Sequence, residues 1–126
     1  VIVVYVHPGI TEASLRQQLA TPGTQGVILL TYGAGNAPTE DWFQQAVKDA
    51  VESGKVVINV TQCPNGSVHQ KRYYTGNILE RAGVISGHDL TTEAALTKLM
   101  FLFGTGISAG QVARSMKHPL CGEMTI

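Results

Sequence analysis

Charge is scarce in this chain. Asp, Glu, Lys and Arg make up 14% of its 126 residues, against ~25% in an average soluble protein. Nine basic and nine acidic side chains cancel to a net charge of zero. That balance excludes the electrostatic footprint of a nucleic-acid or anionic-lipid binder, and the longest basic run is only Lys71-Arg72. No apolar run approaches the ~20 residues of a membrane span. One of them, Leu99 to Phe103, closes a predicted helix. The two cysteines, Cys63 and Cys121, have no CxxC spacing. They exclude a dense disulfide framework and read as free thiols in a reducing compartment. His7, His69, His88 and His118 show no HxxxH or HxH spacing, so neither a metal nor another cofactor is expected. Repeats and low-complexity segments are missing too. A surface so poor in charge implies either that part of it is covered by something else or that the core takes a large share of the chain.

Hydrophobic residues reach 44%, enough for a globular core and against disorder. The length fits one domain, 1–126, and the start at Val1, inside a predicted strand, suggests a domain of a longer protein. Val1 to Val6 is a β-branched run that reads as a strand buried on both faces, as in a parallel sheet. Thr11 caps a short helix carrying Leu15 and Leu19, ended by Thr21-Pro22-Gly23. Gly26 to Tyr32 is the second strand. Thr39 is the expected N-cap of the next helix, with Glu40 and Asp41 at its positive end. Phe43, Ala46, Val47, Ala50 and Val51 form its apolar face, and Gly54 closes it. Lys55 to Val60 is strand three, followed by a helix near Thr75 to Arg81 and a short strand within Gly83 to Gly87. Thr91 caps an apolar helix to Phe103. Ser108 and Gln111 form a capping box for a last helix to about Lys117. Pro119 ends it and the tail is expected to be extended. This alternation predicts an α/β, Rossmann-like doubly wound sheet of about four parallel strands with helices on both faces.

The most informative segment is Gly33-Ala34-Gly35-Asn36-Ala37-Pro38. It leaves the carboxyl end of an apolar strand, where ligands bind in open α/β sheets. Its two glycines allow a sharp turn and a close ligand approach, and Asn36 both donates and accepts hydrogen bonds. Thr61-Gln62-Cys63-Pro64-Asn65-Gly66-Ser67 leaves the third strand at the same edge. A small polar ligand, an interface contact or a mere tight turn are the readings open for the glycine loop. A dinucleotide fingerprint fits poorly. Pro38 replaces the third glycine, and Asn59-Val60-Thr61 offers no ribose-binding acid.

Catalytic constellations are equally thin. Ser86, His88 and Asp89 suggest a triad only loosely, because Asp in such a turn is an ordinary capping residue. Cys63 as a nucleophile lacks an identifiable base. Asn59-Val60-Thr61 and Asn65-Gly66-Ser67 match the glycosylation pattern, but a glycan does not fit at the end of an apolar strand. Tyr73-Tyr74 serves equally as a pocket rim or as ordinary surface aromatics. The residues alone therefore stop at an α/β domain contributing two polar loops to a site or interface.

Five blocks in register then carry a resemblance. They are Thr31-Tyr32-Gly33-Ala34-Gly35-Asn36-Ala37-Pro38, Asn59-Val60-Thr61-Gln62-Cys63, Tyr74-Thr75-Gly76-Asn77, Ala82 to Gly87, and Leu90 to Leu99. With the tail Cys121-Gly122-Glu123-Met124-Thr125, they make the whole chain resemble the C-terminal domain of L-asparaginases, nearest the cytosolic type I branch. The resemblance implies a parent enzyme that hydrolyses L-asparagine to L-aspartate and ammonia. It implies that the Thr nucleophile lies in an N-terminal domain absent from this sequence, so this half holds no catalytic residue. It further implies a cytoplasmic homodimer or homotetramer assembled through this domain. Asn36 would then reach a neighbouring subunit's active site, with Tyr32, Gly33 and Gly35 shaping its loop. Thr61 and Cys63 would join an asparagine effector site, and Thr75 falls near the position of a substrate-binding Glu. Leu30 stands where that effector site has an Arg, so a carboxylate ligand loses its bidentate partner. The related subunit of a tRNA-dependent amidotransferase, and a free-standing amino-acid sensor, are the alternative functions.

Overall fold

Four short apolar segments rich in β-branched residues form strands and are separated by three helices. A computed structural model describes residues 1–33, 37–63, 66–68 and 74–125, with 74–77 as backbone only. The elements are β1 (Ile2–Tyr5), α1 (Glu12–Leu19), β2 (Gly26–Thr31), α2 (Asp41–Glu52), β3 (Val56–Thr61), α3 (Tyr74–Arg81), β4 (Ile85–Ser86), α4 (Thr92–Gly104) and α5 (Ala109–Met116). The strands form one parallel sheet in the order β1-β2-β3-β4. A right-handed crossover to each next neighbour puts successive helices on the same face. Accordingly, Leu15 and Leu19 of α1, Phe43, Ala46, Val47 and Ala50 of α2, and Leu79 of α3 share one core with Val27, Leu29 and Val57. The other face holds Ile28, Ile58 and Val60, and would lie bare without the two helices after β4. Leu99 and Leu102 of α4 and Val112 and Met116 of α5 cover it. The expected α/β sheet with helices on both faces is therefore what forms.

Local sequence explains the helix ends. Thr11, Thr91 and Ser108 each accept a backbone N–H from the residue three positions on, and Ser108 with Gln111 completes a reciprocal capping box. Three expectations need correction. Helix α2 starts at Asp41 with Glu40 as N-cap, and no side chain caps it. Thr39 does not serve, because it is Glu40 that has the extended backbone (φ −65°, ψ 139°) from which the helix departs, one residue further on. Strand β1 is not buried on both faces. It is an edge strand, and α4 and α5 pack over β2 and β3, so Val3 and Tyr5 stay 39% and 57% exposed. The tail is not extended either. It bends back, and Glu123 meets Lys98 of α4 at 2.7 Å.

Candidate functional site

Polar side chains break the apolar rhythm of the strands only at their carboxyl ends. Thr31 closes β2, and Asn59 and Thr61 lie at the end of β3. The register pairs Thr31 with Thr61 and Leu29 with Asn59, so all three side chains share the α1–α2 face by strand alternation. All are buried, so each needs a partner. The Thr31 hydroxyl donates to Asn59 Oδ1. The Thr61 hydroxyl donates to the Gly33 carbonyl at 2.6 Å and accepts the Cys63 N–H at 3.1 Å. One hydroxyl thus joins the loop after β2 to the loop after β3.

Gln62 adds a second connection. Its backbone N–H bonds Thr31 O at 2.8 Å. Its side-chain Nε2 donates to Val6 O at 2.6 Å and Leu30 O at 2.7 Å. Glycine is required at both loops for different reasons. Gly33 has a φ of 59°, the left-handed region that side chains disfavour. A Cβ on Gly66 would lie 2.9 Å from Cys63 Cβ and 3.0 Å from Thr61 Cγ2.

The sequence-predicted residues fall as follows. Tyr32, Gly33, Thr61 and Cys63 come together at this edge. Tyr32 packs against the α1–α2 core. Burial, and secondarily the Glu40 carboxylate, raises its phenol above the ordinary value. Cys63 is exposed and unbridged. Gly35 and Asn36 lie outside the described residues. Thr75 is in the first turn of α3, with its side chain outside the description. Sequence reasoning missed the roles of Asn59 and Gln62. The available signal was a polar Asn inside Val56-Val57-Ile58-Asn59-Val60, which a buried strand tolerates only when it is hydrogen-bonded.

These groups can orient a polar ligand or a neighbouring chain, but they do not form a nucleophile with its base. Both threonine hydroxyls donate to oxygens that take no proton. The Ser86 hydroxyl donates to Val68 O and accepts the His88 N–H, while Asp89 accepts the Thr125 N–H. The loosely suggested triad is thus absorbed in backbone capping. Among the described residues no group of three His, Cys, Asp or Glu could hold a metal, and no helix is long and apolar enough to cross a membrane. A cleft of about 230 Å³ lies at the opposite edge of the sheet, between the starts of β3 and β4 and α5. Valine, glycine and alanine dominate its lining, so it offers little to a polar ligand.

Residues 1–116 match the family described as the Glutaminase/Asparaginase C-terminal domain. L-asparaginase 1 of Escherichia coli (strain K12) is 42% identical over 123 residues, which are 98% of this chain and 36% of that protein. The 60 kDa lysophospholipase of Homo sapiens is 40% identical over 121 residues, 95% of this chain and 21% of that protein. The solved L-asparaginase I from Vibrio cholerae matches the fold with a TM-score of 0.93 at 44% identity, covering 99% of this chain and 38% of that one. The chain therefore spans little more than a third of these two asparaginases.

Proposed function

Because the chain belongs to the glutaminase/asparaginase C-terminal domain family, we propose that its parent protein is an L-asparaginase, converting L-asparagine and water to L-aspartate and ammonia. The observation that carries this reading is the agreement with E. coli L-asparaginase 1 along nearly all of this chain, at 42% identity over 98% of it. In this reading an N-terminal domain supplies the Thr nucleophile and this domain supplies binding loops. Tyr32, Gly33, Gly35 and Asn36 form the loop that reaches a neighbouring subunit's site in a cytoplasmic homo-oligomer. Thr61, Cys63 and Thr75 contact substrate or effector. The supporting geometry is the join between the two loops through Thr61. A loop that must place one amide against a substrate needs such a rigid base.

The test is ammonia release from asparagine by the parent protein, without tRNA, with a lysophospholipid ester as counter-substrate because one relative carries that name. Asparagine turnover is expected. Asn36→Ala should lower kcat/KM by about 10- to 100-fold, the loss for one hydrogen bond to a charged group, at unchanged oligomer mass. Hydrolysis of the lysophospholipid alone, or an Asn36→Ala enzyme with wild-type kinetics, refutes the corresponding part.

A further inference from the structure

Gln62 follows β3, yet its side chain ends on β1. Neighbouring strands lie about 4.8 Å apart, so β1 is two strand spacings from β3, with β2 between them. Three bonds make the crossing. The backbone N–H of Gln62 bonds Thr31 O, which lays the residue over the end of β2. Its amide nitrogen then divides between Leu30 O of β2 and Val6 O just beyond β1, at 2.7 and 2.6 Å. Leu30 O also accepts the Val6 N–H at 2.9 Å. One side chain therefore fixes the offset of three strand ends. From those ends leave the His7-Pro8-Gly9 turn, the Tyr32–Pro38 loop and the Cys63 loop. The clip uses both N–H donors of the carboxamide on carbonyl oxygens, which only a donor of this reach satisfies.

We infer that Gln62 is a positioning residue: its amide holds the loops after β2 and β3 in the mutual register in which they meet a ligand. It acts through those loops and not on the reacting atoms. The inference rests on the asparaginase reading for its kinetic test, and has a second test that does not.

Three variants of the parent protein separate hydrogen bonding from volume. Gln62→Leu removes both donors. Gln62→Glu keeps the size but presents oxygens to two carbonyl oxygens. Gln62→Lys restores a donor that can reach both. The expected result is a KM for asparagine raised about tenfold in the Leu and Glu variants, the factor for about 1.4 kcal/mol of lost binding. Their kcat should stay within about threefold, because the nucleophile lies elsewhere. Gln62→Lys should recover most of the loss. A merely structural role would lower the active fraction, and so kcat, at constant KM. Amide hydrogen exchange gives the independent readout, since Gln62 and Cys63 N–H should exchange about tenfold faster in Gln62→Glu while the β2 amides hold. Wild-type KM and exchange in both the Leu and Glu variants overturn the inference. So does a pattern in which Glu is tolerated and Lys is not. If the wild-type parent releases no ammonia from asparagine, the proposed function fails, and the exchange measurement decides the clip on its own.

Discussion

The tail offers the sharpest test of the structure's energetics. Lys98 sits mid-helix in α4 with its side chain 3% exposed, and Glu123 approaches it at 2.7 Å with 11% exposure. The ammonium also bonds Met116 O, His118 O and Met124 Sδ. The carboxylate also accepts the N–H groups of Leu120 and Cys121. Burial pushes the Glu123 carboxyl upward, but the Cys121 N–H, the Lys98 ammonium and the Leu120 N–H outweigh it and hold it at about 2, against an ordinary 4.5. That difference corresponds to about 3 kcal/mol in favour of the ionised form, at ~1.36 kcal/mol per tenfold. Glu123 lies near the protein surface, so solvent screening reduces this to about 1–2 kcal/mol. Glu123→Gln also leaves the Lys98 ammonium with neutral acceptors only, and the total loss should be about 2 kcal/mol in urea unfolding of the chain. Lys98→Met should cost at least as much, because it strands the carboxylate. Adding Glu123→Gln to Lys98→Met should then cost less than the two losses summed. The folded carboxyl titrates lower than the unfolded one, so its contribution is complete above about pH 4.5. It is lost as pH falls through 4.5 towards 2. Wild type should therefore lose stability more steeply than Glu123→Gln across that window. A Glu123→Gln loss below about 0.5 kcal/mol with a parallel acid profile would refute the reasoning.

Two further substitutions test local features. Thr61→Val keeps the shape but removes the bond to Gly33 O and the acceptor for Cys63 N. It should cost about 1–3 kcal/mol for unsatisfied buried groups, whereas Thr61→Ser stays near wild type, both read by urea midpoint. Ser108→Ala breaks the capping box of α5 and should cost about 1 kcal/mol in thermal unfolding, whereas Ser108→Thr keeps a capping hydroxyl and most of that stability.

What was legible in the sequence follows from the range of the interactions involved. The order of strands and helices was readable because apolar periodicity and caps are local. Thr11, Thr91 and Ser108 announce helices α1, α4 and α5 and then cap them. The strand order was not. β1 looks like any doubly buried parallel strand, and only its edge position leaves Val3 and Tyr5 exposed. The polar exits of β2 and β3, at Thr31 and Thr61, were legible from the change of residue type there. Their joining was not, since the Gln62 amide bonds Val6 O, 56 positions away. The Lys98–Glu123 pair hid for the same reason: its partners are 25 residues apart by number, and a lysine beside Thr97 in a helix reads as a surface residue.

The exit of β4 links these two regions. Val68, past the Cys63 loop, donates its N–H to His88 O at 2.8 Å, and Ser86 donates to Val68 O. The next residue, Asp89, accepts the Thr125 N–H at 2.7 Å, two positions beyond Glu123. The Thr125 N–H, and next the Thr125 hydroxyl, outweigh burial and hold the Asp89 carboxyl below its ordinary value. The short turn from Ser86 to Asp89 is thus gripped from both sides, by the segment after β3 and by the tail. His88 accepts a φ of 53° within it, a conformation that costs a non-glycine residue energy and persists only where neighbours enforce it. Contacts from Val68 and from the tail residue Thr125 therefore meet in one strained turn. The five-residue stretch Cys121-Gly122-Glu123-Met124-Thr125 thus ties α4, through Glu123 and Lys98, to the exit of β4, through Thr125 and Asp89.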